Sequence, residues 1–181
     1  MGFIHDPVTL RSFERPDVAY EASFLVDSGA TAFLPFWTFI VESDVISSLR
    51  AAGRRVYIHI PISGGDMLND TLLGFKTLAE TAAEKSLVVW INEYFGEIER
   101  DGKSFDQMQV FLDNHEKVLT SIGIPQRSPD LYGSDIRHMR ERKLTFDEAI
   151  SVEPDFNIVE KYRLDRVRRE LFAQLAQTPF A

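Results

Sequence analysis

Three short stretches of this chain are almost continuous in aliphatic and β-branched residues, and helical patterns separate them. That alternation constrains the fold more than any other feature. Residues 23–27 hold Phe24, Leu25 and Val26 before Asp27; residues 55–60 hold Val56, Tyr57, Ile58 and Ile60; residues 86–92 hold Leu87, Val88, Val89, Trp90 and Ile91 before Asn92. Strands covered on both faces read this way, whereas half-solvated strands alternate. A weaker run covers Val118–Ile124. Between the runs, residues 35–52 place Phe36, Phe39, Ile40, Val45, Ile46 and Leu49 at helical spacing and stop at Gly53, a C-terminal helix signal. Residues 67–83 repeat the pattern with Leu68, Leu72, Phe75, Leu78 and Ala79. Residues 105–117 predict a third helix, and residues 156–177 a long last one with Leu164, Val167, Leu171 and Leu175 on a face. Such alternation implies right-handed βαβ units and a parallel sheet. With no internal repeat and no low-complexity linker, residues 1–181 read as a single domain.

Composition narrows the chemistry. The chain has no cysteine, which excludes disulfide scaffolds, thiol nucleophiles, iron–sulfur clusters and cysteine zinc sites, and fits a reducing cytoplasm. The four histidines, His5, His59, His115 and His138, form no His-x-x-x-His pair of the kind that binds zinc on a helix. Net charge is −8. Residues 1–136 carry 11 Lys+Arg against 20 Asp+Glu, and residues 137–181 carry 9 against 8, so any contact with nucleic acid has to be local. No N-terminal apolar segment predicts a secretory signal. The longest apolar run, residues 32–41, is too short to span a bilayer.

In parallel sheets the chemistry sits where the strands end. The residues leaving those ends are Asp27-Ser28-Gly29-Ala30, Pro61-Ile62-Ser63-Gly64-Gly65-Asp66, Asn92-Glu93 and Pro125-Gln126. Asp27, closing a hydrophobic strand, has the form of a Walker B carboxylate that holds a Mg²⁺-bound water; it equally suits a turn or a helix cap. The same Asp-Ser-Gly-Ala string matches the signature of retroviral-type aspartic proteases, but those are all-β and need strands where a helix is expected here. Gly102-Lys103-Ser104 resembles the end of a P-loop, yet the position for its first glycine holds Glu97, and Glu97, Glu99 and Asp101 would repel phosphate. Ser63-Gly64-Gly65 reads as a tight turn with Asp66 as capping acid, or as a small anion nest. Asn92 carries an amide able to pair bidentately with adenine, or is a turn residue. Lys161, Arg163, Arg166, Arg168 and Arg169 give the terminal helix a basic face, open to solvent, a partner, DNA or membrane.

Together these segments resemble the TraL-type conjugal-transfer proteins, a branch of the ParA/MinD-like P-loop ATPases. The residues carrying the resemblance are Val26-Asp27-Ser28-Gly29-Ala30; Gly64-Gly65 with Asp70-Thr71 and Gly74-Phe75; Val88-Val89-Trp90-Ile91-Asn92; Gly102-Lys103-Ser104-Phe105 with Gln107-Met108; Tyr132-Gly133 with Asp135; Leu144-Thr145-Phe146-Asp147; and Arg163-Leu164 with Val167-Arg168-Arg169, Leu171-Phe172 and Gln174-Leu175. They are collinear over residues 23–177. The resemblance implies a doubly wound, three-layer α/β/α fold that binds ATP and Mg²⁺ and works as a nucleotide-sandwich homodimer with conjugal-transfer proteins as partners. It implies Asp27 as Walker B aspartate and metal-side residue, Asn92 as adenine-facing amide, and Pro125 with Gln126 as the loop beside the base.

The family's opening strand, Gly-Lys-rich phosphate loop and first helix have no counterpart in these 181 residues. Gly2-Phe3-Ile4-His5-Asp6-Pro7 resembles the element after them, which makes Asp6 the candidate switch aspartate. The expectation is a chain that binds ATP weakly and hydrolyses it poorly. A non-catalytic accessory protein and a truncated gene product are the other two readings of the same departure.

Overall fold

In the computed structural model the described residues are 2–3, 24–28, 30–151 and 155–180; Asp6 falls outside them. The chain divides into two compact units, Met1–Val56 and Tyr57–Ala181.

In the first unit, β1 (Gly2–Phe3) and β2 (Phe24–Leu25) pair in parallel. Helix α1 (Ala30–Glu42) follows at once and leads into α2 (Val45–Ala51). The aspartic-protease reading needs strands after Asp27, and a helix stands there instead. The single helix expected over residues 35–52 is broken: Asp44 takes a left-handed φ of 48°, and the two segments bend by 55°. Gly53, at φ 76°, ends α2 as its position implies. Among the described residues no single helix is long and apolar enough to cross a membrane.

The second unit is built on a parallel sheet of β3 (Ile58–Ser63), β4 (Leu87–Asn92) and β7 (Val118–Ile124), with β4 in the centre. The expectation of an α/β protein with a parallel sheet holds. Strands β4 and β7 lie where the apolar runs end, but β3 begins three residues later than its run and continues through Pro61. Ile58 N–H and Gly64 N–H both donate to β4 carbonyls, those of Ser86 and Asn92. Alternation then turns the nitrogen of Pro61 away from β4, where a missing N–H costs no ladder bond.

Register puts Ile60, Val89 and Ser121 on one face and Pro61, Trp90 and Ile122 on the other. Helix α3 (Leu68–Thr81) packs on β3 and buries Leu68, Leu72, Phe75, Leu78 and Ala79. The helix expected over residues 105–117 is not continuous. A hairpin, β5 (Glu99–Arg100) and β6 (Lys103–Ser104), runs into a 3₁₀ turn at Phe105–Gln107, a single turn α4 (Gln109–Leu112) and another 3₁₀ turn. Phe105, Met108 and Phe111 recur every third residue, and Met108 at ψ 142° interrupts the winding. Phe105 meets Phe75 edge-on at 5.3 Å. Asp101 and Gly102 both have positive φ, the signature of a two-residue hairpin turn, so Gly102-Lys103-Ser104 is hairpin and not a loop between strand and helix.

After β7 come a π-helical turn (Pro129–Gly133), α5 (Ser134–Glu141) and α6 (Phe146–Ser151), none anticipated from the sequence, and then α7 (Ile158–Leu175). Met139, Ala149, Phe156 and Leu164 form a buried cluster among them.

Candidate functional site

The carboxyl ends of β3, β4 and β7 bring Ser63, Asn92 and Ile124 to one level of the sheet. Asn92 sits at the tip of the central strand. Its Oδ1 accepts the Tyr94 N–H at 3.2 Å, and its Nδ2 makes a long 3.5 Å hydrogen bond to Ser63 Oγ. A side-chain amide has two acceptor and two donor positions. One of each is therefore used in holding the turn, and one of each is left.

The turn that follows, residues 93–96, is packed backbone to backbone against residues 64–65. A Cβ on Gly64 would lie 1.9 Å from the Gly96 carbonyl oxygen, and one on Gly65 would lie 2.6 Å from that of Phe95. The paired glycines exist for this approach. Two amides of this turn are used inside the fold: Gly64 N–H donates to the Asn92 carbonyl, and Ser63 N–H donates to Thr71 Oγ1 at 3.2 Å. Asp66 does not cap α3, whose N-terminus has no side-chain cap. The turn reading of Ser63-Gly64-Gly65 therefore stands, without its capping acid.

Pro125 and Gln126 leave β7 exposed beside this rim. The next residue, Arg127, is what fixes their loop. Its guanidinium pairs with Glu170 on α7 and lies 4.9 Å over the Tyr132 ring. Burial works against the charge on Glu170, but hydrogen bonds from Arg166 and Arg127 outweigh it and hold the carboxyl below its ordinary range. Gly133 faces Tyr94, where an added Cβ would stand 3.5 Å from Oη. The turn after β4 thus adjoins the turns after both neighbouring strands.

Each arginine of α7 is paired with a carboxylate. Arg163 grips buried Asp135 through Nε and Nη2, the latter at 2.8 Å. Arg168 pairs with Asp147 and with Asp165, Arg166 with Glu170, and Arg169 with Asp165. Many residues that carried the resemblance are these couplings: Asp135, Asp147, Arg163, Arg168 and Gln174 all tie α7 to the rest of the unit. Their partners lie 21 to 51 residues away, which is why spacing along the sequence did not reveal them.

Asp27 follows β2, exposed, in the first unit, and Asn92 belongs to the second. Among the described residues no three Asp, Glu or His side chains group as a metal site. The spare amide positions of Asn92 and the exposed Pro125-Gln126 loop both lie at this rim. At the turn of residues 63–65 the Ser63 and Gly64 amides are committed within the fold, so the turn is not a nest of converging amides for a phosphate.

Comparison with known proteins decides the family. The chain is 40% identical to a Protein TraL of Escherichia coli over 152 residues, covering 83% of this chain and 63% of that protein. It is 34% identical to a second Escherichia coli Protein TraL over 174 residues, covering 94% of this chain and 72% of that protein. The chain belongs to the TraL family. Its span is shorter than either TraL relative, at 63% and 72% of their lengths. No protein-family model matches the chain. No solved structure matches it either. The collinear motifs from Val26 to Leu175 thus led to the TraL family correctly, and the rim described above is that of a TraL-family protein.

Proposed function

We propose that this TraL-family chain acts in conjugal transfer of plasmid DNA as a ParA/MinD-like nucleotide-binding protein of the cytoplasm, retaining the base-binding side of the site. The observation that carries the reading is Asn92: an amide at the tip of the central parallel strand, fixed by Tyr94 N–H and Ser63 Oγ, with one donor and one acceptor still to offer. Pro125 and Gln126 would flank the base. In this reading Asp27 is the Walker B carboxylate on the Mg²⁺ side, Asp6 the switch aspartate, and a homodimer and other transfer proteins are the partners.

Phosphoryl transfer depends on positioned donors that stabilise charge on the transferring group. These 181 residues contain no Gly-Lys-rich phosphate loop. The expected result is weak ATP binding, little helped by Mg²⁺, and negligible hydrolysis. Calorimetric titration with ATP, with and without Mg²⁺, tests this; micromolar Mg²⁺-dependent binding with turnover would refute it. The second reading, a non-catalytic accessory of the transfer machinery, is favoured by the committed amides of Ser63 and Gly64. It predicts that Asn92→Ala and Asp27→Ala alter stability alone.

A further inference from the structure

We propose that Phe95 is the stacking surface for an adenine base, so that this chain takes hold of the nucleoside and not of the phosphates; this rests on the nucleotide reading above. Each of the three turns at the rim carries an exposed apolar side chain. Met67 after β3, Phe95 after β4 and Leu131 after β7 are all about half exposed, at 47%, 55% and 49%. Phe95 is the aromatic ring among them, three residues beyond the Asn92 amide. Hydrogen-bonding to the edge of a base and stacking on its face are the two halves of base recognition, and here they stand on one short turn.

That turn is already ordered. Asn92 Oδ1 holds the Tyr94 N–H, the Phe95 and Gly96 carbonyls pack on Gly65 and Gly64, and Tyr94 backs the Phe95 ring edge-on at 5.0 Å and 85°. Little conformational freedom remains to be lost on binding. The choice of base follows from the amide. Its remaining donor and acceptor complement adenine N7 and N6, whereas guanine presents two acceptors, N7 and O6, and would set one of them against Oδ1. Arg127, which follows the Pro125-Gln126 loop, is engaged with Glu170, as is Arg166 of α7, and Arg163 is engaged with Asp135. Phosphates would therefore add little.

The test is calorimetric titration of the full chain with adenosine, ATP and guanosine, repeated with Phe95→Tyr and Phe95→Leu. Adenosine should bind comparably to ATP and better than guanosine. Phe95→Tyr should retain the affinity, and Phe95→Leu, apolar but without a ring, should lose about tenfold. Far-UV circular dichroism checks folding, and Phe95 is exposed enough that both variants should fold. Unchanged adenosine affinity in Phe95→Leu would overturn the stacking role while leaving the nucleotide reading in place. ATP binding far more tightly than adenosine would overturn nucleoside-led recognition. If none of the three ligands binds, both readings are overturned.

Discussion

Gln174 on α7 pairs its side-chain amide with both backbone groups of Gly123 on β7: Gly123 N–H donates to Oε1 at 2.7 Å, and Nε2 donates to the Gly123 carbonyl at 3.0 Å. One side chain thereby does for the outer edge of β7 what another strand would do, at a single residue. Open edges invite pairing with other chains. Removing the amide leaves two partly buried backbone groups to find water.

Gln174→Leu should therefore cost about 1–3 kcal/mol of stability, measured by urea denaturation. It should also increase self-association on sizing columns at high concentration. Gln174→Glu removes only the donor, and its carboxylate would face the Gly123 carbonyl. It should not be more stable than the leucine variant if the donated bond matters.

Two glycines make an opposed pair of predictions. Gly64 has no room for a Cβ, since the obstacle at 1.9 Å is the Gly96 backbone and not a flexible side chain. Gly64→Ala must push the 93–96 turn away from the sheet and should cost about 3 kcal/mol or more, taking the Asn92–Tyr94 hydrogen bond with it. Gly74 lies inside α3 with nothing within 4 Å of an added Cβ. Gly74→Ala should stabilise by about 0.5–1 kcal/mol through helix propensity. Thermal melts of the two variants should move in opposite directions.

These glycines also mark where sequence reading stops. Residues 87–91 were legible as a strand because all five are apolar, which also made Asn92 legible as its tip, whereas 118–124, interrupted by Thr120, Ser121 and Gly123, was a weaker signal. Position in a parallel sheet then made Asn92 a site candidate. That Tyr94 N–H would occupy half of its amide, and that Gly64 would be pressed against Gly96, depends on the meeting of two turns some 30 residues apart. Pro61 misled the placement of β3 because proline is tolerated at an outward-facing edge position. Helices α5 and α6 were missed because few of their residues are apolar; their buried positions, Met139 and Ala149 among them, pack on Leu164 from another element.

Among the described residues the Asp135–Arg163 pair is the most enclosed ion pair, with side chains 4% and 18% exposed. Removing one partner strands the other, whereas removing both can be nearly neutral. Asp135→Ala should consequently be less stable than the double variant Asp135→Ala, Arg163→Met. A double-mutant cycle on denaturation midpoints measures this coupling. If the double variant is the weaker of the two, the pair is not what joins α5 to α7.

His59 supplies the pH dependence. It shares a sheet face with Trp90, whose Nε1–H donates to His59 Nδ1 at 3.1 Å, and Phe180 meets the imidazole edge-on at 5.1 Å. Tyr57 packs on the same Phe180 ring at 5.3 Å. Burial pushes the imidazole below its ordinary value of 6.5, and a protonated Nδ1 could no longer accept from Trp90. In the window below 6.5 the unfolded chain binds the proton more readily than the folded one, so stability rises with pH there. This contribution is complete above 6.5 and declines as pH falls from 6.5 towards the lower folded-state value. The denaturation midpoint should thus fall as pH drops from 7 to 5, with Trp90 fluorescence changing over the same range as the indole loses its acceptor. In His59→Gln, which has no titrating group but can still accept from Trp90, the Trp90 signal should become flat across that window. The slope of stability with pH should lessen by the histidine's share. An unchanged slope and an unchanged fluorescence titration in the variant would assign the pH dependence to carboxylates elsewhere.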